Sequence, residues 1–126
     1  MGEGKFLKLS DISAYKKSFH LSNNVWDIVK DWDYFLKDTV EKQWVRAIDS
    51  MSANIAEGFG RYGKKDKIKF YYYCFGSMKE SQDWTQKAFV RKLISEEQYN
   101  QIMKELNDMP KEVHSLIKFT DDKLKK

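Results

Sequence analysis

This sequence predicts an all-α chain, folded as an antiparallel up-down-up-down four-helix bundle, and three observations carry the prediction. The 126 residues include one proline and six glycines, too few for the turn density of a β fold. Hydrophobic residues make up 41% and charged residues 33%, a balance suited to long amphipathic helices. Apolar side chains recur at three- and four-residue steps in four blocks separated by short breaks. At 15.0 kDa the chain is expected to form one domain, residues 1–126, with residues 1–10 as a segment ahead of the first helix.

The first helix is expected over residues 13–31, where Tyr15, Phe19, Ser22, Trp26 and Val29 form a stripe. The stretch from Trp32 to Asp38 breaks that rhythm. Asp38 or Thr39 can then cap a second helix over residues 39–60, with Trp44, Ile48, Met51, Ile55 and Phe59 facing inward. A third, longer helix is expected over residues 65–93, with a stripe of Ile68, Phe75, Met78, Gln82, Phe89 and Leu93. Ser95 followed by Gln98 reads as a capping box for a fourth helix over residues 96–124, carrying Tyr99, Ile102, Met103, Leu106, Val113, Ile117 and Leu124. Pro110 lies inside it and should kink or break it just upstream, because proline lacks the amide proton and crowds the preceding turn.

The two central helices carry more pattern than one core requires. Away from its apolar stripe, the second helix presents Arg46, Ala47, Ser50, Asn54, Glu57 and Arg61, a face too small and polar for ordinary solvent exposure. The third helix has a second stripe of its own in Phe70, Tyr73, Cys74, Ser77, Trp84 and Ala88. A single bundle covers one stripe per helix, so the other is expected to meet a second copy, with Phe70, Tyr73 and Trp84 as interface candidates.

Several function classes drop out. Cys74 is the sole cysteine, so neither a disulfide framework nor a cysteine metal cluster can form within the chain, and a reducing, cytoplasmic setting is the expectation. The opening MGEGKFLKLSDIS lacks the apolar core of a signal peptide, and no window resembles a membrane span. A net charge of +4 is a mild bias toward anionic partners.

The stretch GFGRYG, residues 58–63, matches the G-x-G-x-x-G of dinucleotide-binding loops. That fingerprint needs a strand before it, and here a helix precedes it, so the glycines read instead as the end of one helix and the turn into the next. The cations beside it, Arg61, Lys64, Lys65, Lys67 and Lys69, are the candidates for contact with RNA or DNA phosphate near the start of the third helix. The polar set Arg46, Ser50, Asn54, Glu57, Ser77 and Glu80 lacks a nucleophile paired with a base, so it reads as a buried polar network or an interface, and no catalytic residue is assigned. No Glu-x-x-His occurs, so neither a di-iron site nor another metal or cofactor is expected.

The run Gln43, Arg46, Ala47, Ser50 and SANIAEGFGR, followed by Lys65, Lys69, Phe70, Gly76, Ser77 and Glu80, resembles the bacterial four-helix-bundle family of the 23S rRNA intervening-sequence proteins. The likeness covers roughly residues 6–107, including FLKLSDISAYKKSFHLS, and is looser in the last third. It implies an antiparallel bundle that assembles as a homopentamer without known enzymatic activity. A related branch serves as accessory factor to the reverse transcriptase of diversity-generating retroelements, which adds a protein partner and nucleic acid to the expectations.

Overall fold

The computed structural model describes residues 8–124, so most of the expected N-terminal segment, residues 1–7, lies outside the described residues. A short 3-10 turn, Leu9–Asp11, leads into helix α1, Ser13–Val29. A helical turn, Tyr34–Leu36, continues through a π-helical stretch, Lys37–Glu41, into α2, Lys42–Gly60. Helices α3, Lys64–Val90, and α4, Glu96–Lys123, complete the bundle. Contacts between consecutive helices climb one helix as they descend the next. Ser50 meets Ser77 and Trp44 meets Thr85; Phe75 packs on His114, Gln82 bonds Asn107, and Phe89 stacks on Tyr99. The arrangement is therefore antiparallel, with α2 and α3 the most closely packed neighbours and α1 and α4 the loosest.

The core sits where the stripes of α2 and α4 place it. Trp44, Ile48, Met51 and Ile55 are fully enclosed, as are Ile102, Leu106 and Val113. On α1 the expected stripe holds at Val29 and is displaced by one position before it. Ala14, Ser18, Leu21, Val25 and Val29 face inward, whereas Phe19 and Trp26 are each 51% exposed. Two large rings outweighed smaller residues in the sequence pattern, although Leu21 and Val25 keep the same spacing and are fully buried.

On α3 the inward face runs between the two expected stripes, through Tyr71, Cys74, Met78, Ser81, Thr85 and Ala88. Cys74 and Ala88, expected at a partner surface, are thus enclosed by the chain itself. The pattern was obscured because this face is built partly of hydroxyls. Trp44 donates its indole N–H to Thr85 at 3.0 Å, and Thr85 donates in turn to the Ser81 carbonyl at 2.7 Å, so these two polar groups are satisfied inside the bundle, while the buried Ser81 hydroxyl has no partner.

Several boundaries differ from expectation. The second helical rod starts at Tyr34 because Asp33, not Asp38 or Thr39, caps it by accepting from the Leu36 N–H at 3.0 Å. Thr39 is already inside the rod and bonds back to the Phe35 carbonyl. Helix α3 stops at Val90, three residues early, and Lys92 takes a positive φ of 63° in the turn. Helix α4 begins with the expected capping box, Ser95 and Gln98 each bonding the other's backbone N–H at 2.9–3.0 Å. It then passes through Pro110 without breaking; flanking turns and the buried Leu106, Met109 and Val113 hold it together.

Candidate functional site

The outer seam between α2 and α3 collects most of the residues singled out by sequence. Ser50 and Ser77 share a hydrogen bond of 2.5 Å across it, and Ser77 is buried. Asn54 is half-buried and donates to the Ser50 carbonyl at 2.9 Å. The antiparallel register set by these serines brings Arg46 level with Glu80, and Asn54 level with Tyr73. Arg46, Glu57 and Glu80 are exposed within the single chain, so of the six residues expected to form a buried polar network or an interface, Ser50, Asn54 and Ser77 make the hydrogen-bonded group. The charged members have no burial to compensate, and so form the rim of the seam.

Rings line the α3 side of this rim. Phe70 and Trp84 are half-buried and Tyr73 is half-exposed, with Phe70 and Tyr73 in edge contact at 5.4 Å. Gly76 stands further round the same helix, on its outward side between Tyr72, Tyr73 and Glu80, exposed, where an added Cβ would meet nothing within 4 Å. A second exposed apolar face, Phe19 and Trp26 on α1, had been assigned to the core and therefore missed.

GFGRYG resolves into three different glycines, none with a positive φ. Gly58 is buried in α2, where a Cβ would come within 2.7 Å of Tyr71 Cε1 and 2.9 Å of the Lys67 carbonyl. It is there because the helices touch. Gly60 is the last residue of α2, and Gly63 is the extended N-cap of α3. The turn between them uses extended backbone at Arg61, so the left-handed helix end expected from glycine is not used.

The basic cluster beside the turn is largely occupied by the chain itself. Arg61 pairs with Glu57 at 2.7 Å and lies over the Phe70 ring at 4.5 Å. Lys64 bonds both the backbone and the carboxylate of Asp121, at 3.1 and 3.2 Å. Lys67 donates to the Phe59 carbonyl at 2.6 Å, closing the end of α2, and burial lowers its pKa below the usual lysine range. Lys69 approaches Asp66 at 3.9 Å. Lys65 alone of the five is exposed without a side-chain partner among the described residues.

Two buried titratable side chains are held in their neutral forms. Cys74 is enclosed, its Sγ 3.6 Å from the Met51 carbonyl, and burial pushes the thiol up to about 12, away from the thiolate a nucleophile needs. Tyr71, packed on Gly58 and hydrogen-bonded to Thr120, is likewise pushed up to about 12 by burial. Among the described residues, no group of three or more His, Cys, Asp or Glu side chains is arranged to hold a metal ion, and no helix is long and apolar enough to cross a membrane.

Comparison with known proteins gives a consistent picture. One solved structure, a protein of unknown function from the S23 ribosomal protein family of Bacteroides thetaiotaomicron, superposes with a TM-score of 0.75 at 24% identity, covering 83% of this chain and 95% of the other. No curated protein matches the sequence. The family model for 23S rRNA-intervening sequence proteins matches residues 10–115, reaching further into α4 than the sequence resemblance did. With that match spanning most of a four-helix bundle, the chain belongs to the 23S rRNA-intervening sequence protein family.

Proposed function

We propose that this protein is a non-enzymatic, self-assembling helical scaffold whose copies meet through the outward faces of α2 and α3. The observation that carries the reading is Gly76. Glycine inside a helix costs about 1 kcal/mol relative to alanine, and no contact within the chain requires it. Its neighbours on the same face are half-exposed Tyr72 and Tyr73, which would gain burial against a second backbone passing close to the glycine. The homopentamer implied by the family resemblance is the assembly expected. Sedimentation of the purified chain at micromolar concentration tests it: a mass several times 15.0 kDa is expected, and a monomer overturns the proposal.

The role of the assembly is proposed as accessory to an RNA- or DNA-containing element. Two versions differ in what touches the nucleic acid. The cation-rich turn supports direct contact, since exposed ion pairs are weak and phosphate can compete for their lysines. The own-chain partners of Arg61, Lys64, Lys67 and Lys69 favour the other version, an adaptor that binds a protein such as a reverse transcriptase and leaves nucleic acid to it. Gel shifts with mixed RNA and DNA at rising salt separate them: no shift even at low salt removes direct contact.

A further inference from the structure

We infer, resting on the direct-contact version of the proposed role, that the end of the bundle carrying the turn from α2 to α3 takes single-stranded nucleic acid, with Tyr62 as the ring on which a base stacks. Tyr62 lies in the turn between Arg61 and Gly63, both in extended backbone, and its side chain is fully exposed. That side chain makes no hydrogen bond or ring contact among the described residues. The turn does not use the ring. It is held by the Arg61 N–H, which donates to the Gly58 carbonyl, and by the Gly63 carbonyl, which accepts from the Lys67 N–H. A ring standing in water at the tip of a short connection suits an unpaired base, whose face is free to stack; in a duplex those faces are already covered by neighbouring bases.

Charge places the strand at this end. A cut across the bundle near the level where Ser50 meets Ser77 divides it unequally. The half with the turn, residues 8–20, 51–77 and 110–124, holds 11 lysines and arginines against six carboxylates, a net of +5. The other half, residues 21–50 and 78–109, holds nine against 12, a net of −3. All six carboxylates near the turn have a partner within the chain, five of them a lysine or arginine. Lys16 and Lys65, by contrast, are exposed without a side-chain partner among the described residues, so the uncompensated charge of this half is positive. Beside Tyr62, Arg61 and Lys69 lie 4.5 and 5.4 Å from the centroid of the Phe70 ring, so cations and rings alternate along the start of α3. Phosphates meet the cations and a base meets the ring; an acidic peptide would meet the charge alone.

The test uses the full chain and fluorescence anisotropy with a labelled thymidine oligonucleotide, the same strand made abasic, a duplex, and polyglutamate. Binding of the single strand, tighter than of the other three and weakening as salt rises, is expected. Tyr62→Ser should lower that affinity about tenfold, as for the loss of one stacked base, and Tyr62→Phe should keep it, with helical circular dichroism unchanged in both. Lys65→Gln should weaken the single and abasic strands alike and reduce the salt slope, whereas Arg91→Gln with Lys92→Gln, in the acidic half, should change neither. Equal binding of the abasic strand or the duplex, unchanged affinity in Tyr62→Ser, or a loss in the Arg91 and Lys92 variant as large as in Lys65→Gln overturns the inference while leaving direct contact standing. Polyglutamate bound as tightly makes an acidic protein the partner, and no binding of any oligonucleotide at low salt removes direct contact; either result overturns the inference as well.

Discussion

Gly58 and Gly76 are both helical glycines, and the structure gives them opposite meanings. At Gly58 the missing side chain is filled by Tyr71 and by the Lys67 carbonyl, so Gly58→Ala must push α2 and α3 apart. Overpacking of this kind costs about 1–3 kcal/mol, and a lower midpoint in urea denaturation would register it. Gly76→Ala should do the reverse for the single chain, raising stability by about 1 kcal/mol, while weakening self-association in sedimentation. Gain of stability without loss of assembly would detach Gly76 from the interface. Tyr71 makes a third residue-scale prediction. Its phenol ionises near 10 in the unfolded chain and about 12 in the folded one, so the unfolded state releases the proton first. The stability tied to keeping Tyr71 neutral is therefore present below pH 10 and lost as pH rises toward 12. Alkaline denaturation should show that decline, and Tyr71→Phe should flatten it while giving up the Thr120 hydrogen bond. The pair of Lys17 and Glu112, 2.6 Å apart, acts at the acid end: the hydrogen bond to Lys17 holds the Glu112 carboxyl below the usual range, so its contribution disappears only as pH falls through that lowered value.

Helix α4 and the connection ahead of α2 show how far a pattern in sequence reaches. The capping box of Ser95 and Gln98 was legible because it is local: two side chains and two backbone N–H groups within one turn. Pro110 was legible as a defect but not in its outcome, which depends on side chains brought from other helices to bury Leu106, Met109 and Val113 around it. Replacing it in Pro110→Ala restores the hydrogen bond to the Leu106 carbonyl and should stabilise the chain by about 1–3 kcal/mol, read from thermal unfolding. The π-helical stretch was invisible, since nothing in KDTVE distinguishes one extra residue per turn from an ordinary helix. The exposed rings Phe19 and Trp26 misled for a related reason: periodicity fixes which residues share a face, and their size suggested the wrong face for the core.

Across the whole molecule, the bundle is unevenly held. The four-helix class follows from the sequence because apolar residues recur at helical spacing in four blocks, and the family from the likeness carried by SANIAEGFGR and the residues after it. Ser50, Asn54 and Ser77, grouped by their spacing in sequence, do converge between α2 and α3. What sequence could not weigh was the competition for charge. Whether Lys64 and Lys67 are free depends on Asp121 and on the Phe59 carbonyl, groups 57 and 8 residues away. The uneven packing has a kinetic consequence. Because α2 and α3 interlock at Gly58 and are neighbours in the chain, they can close as a hairpin at small loop-closure cost, before the distant pairing of α1 with α4. The folding nucleus is therefore expected in that hairpin. Amides of α2 and α3 should exchange with solvent last, those of α1 first, and substitutions at Met51 or Met78 should slow refolding where substitutions at Leu21 mainly speed unfolding.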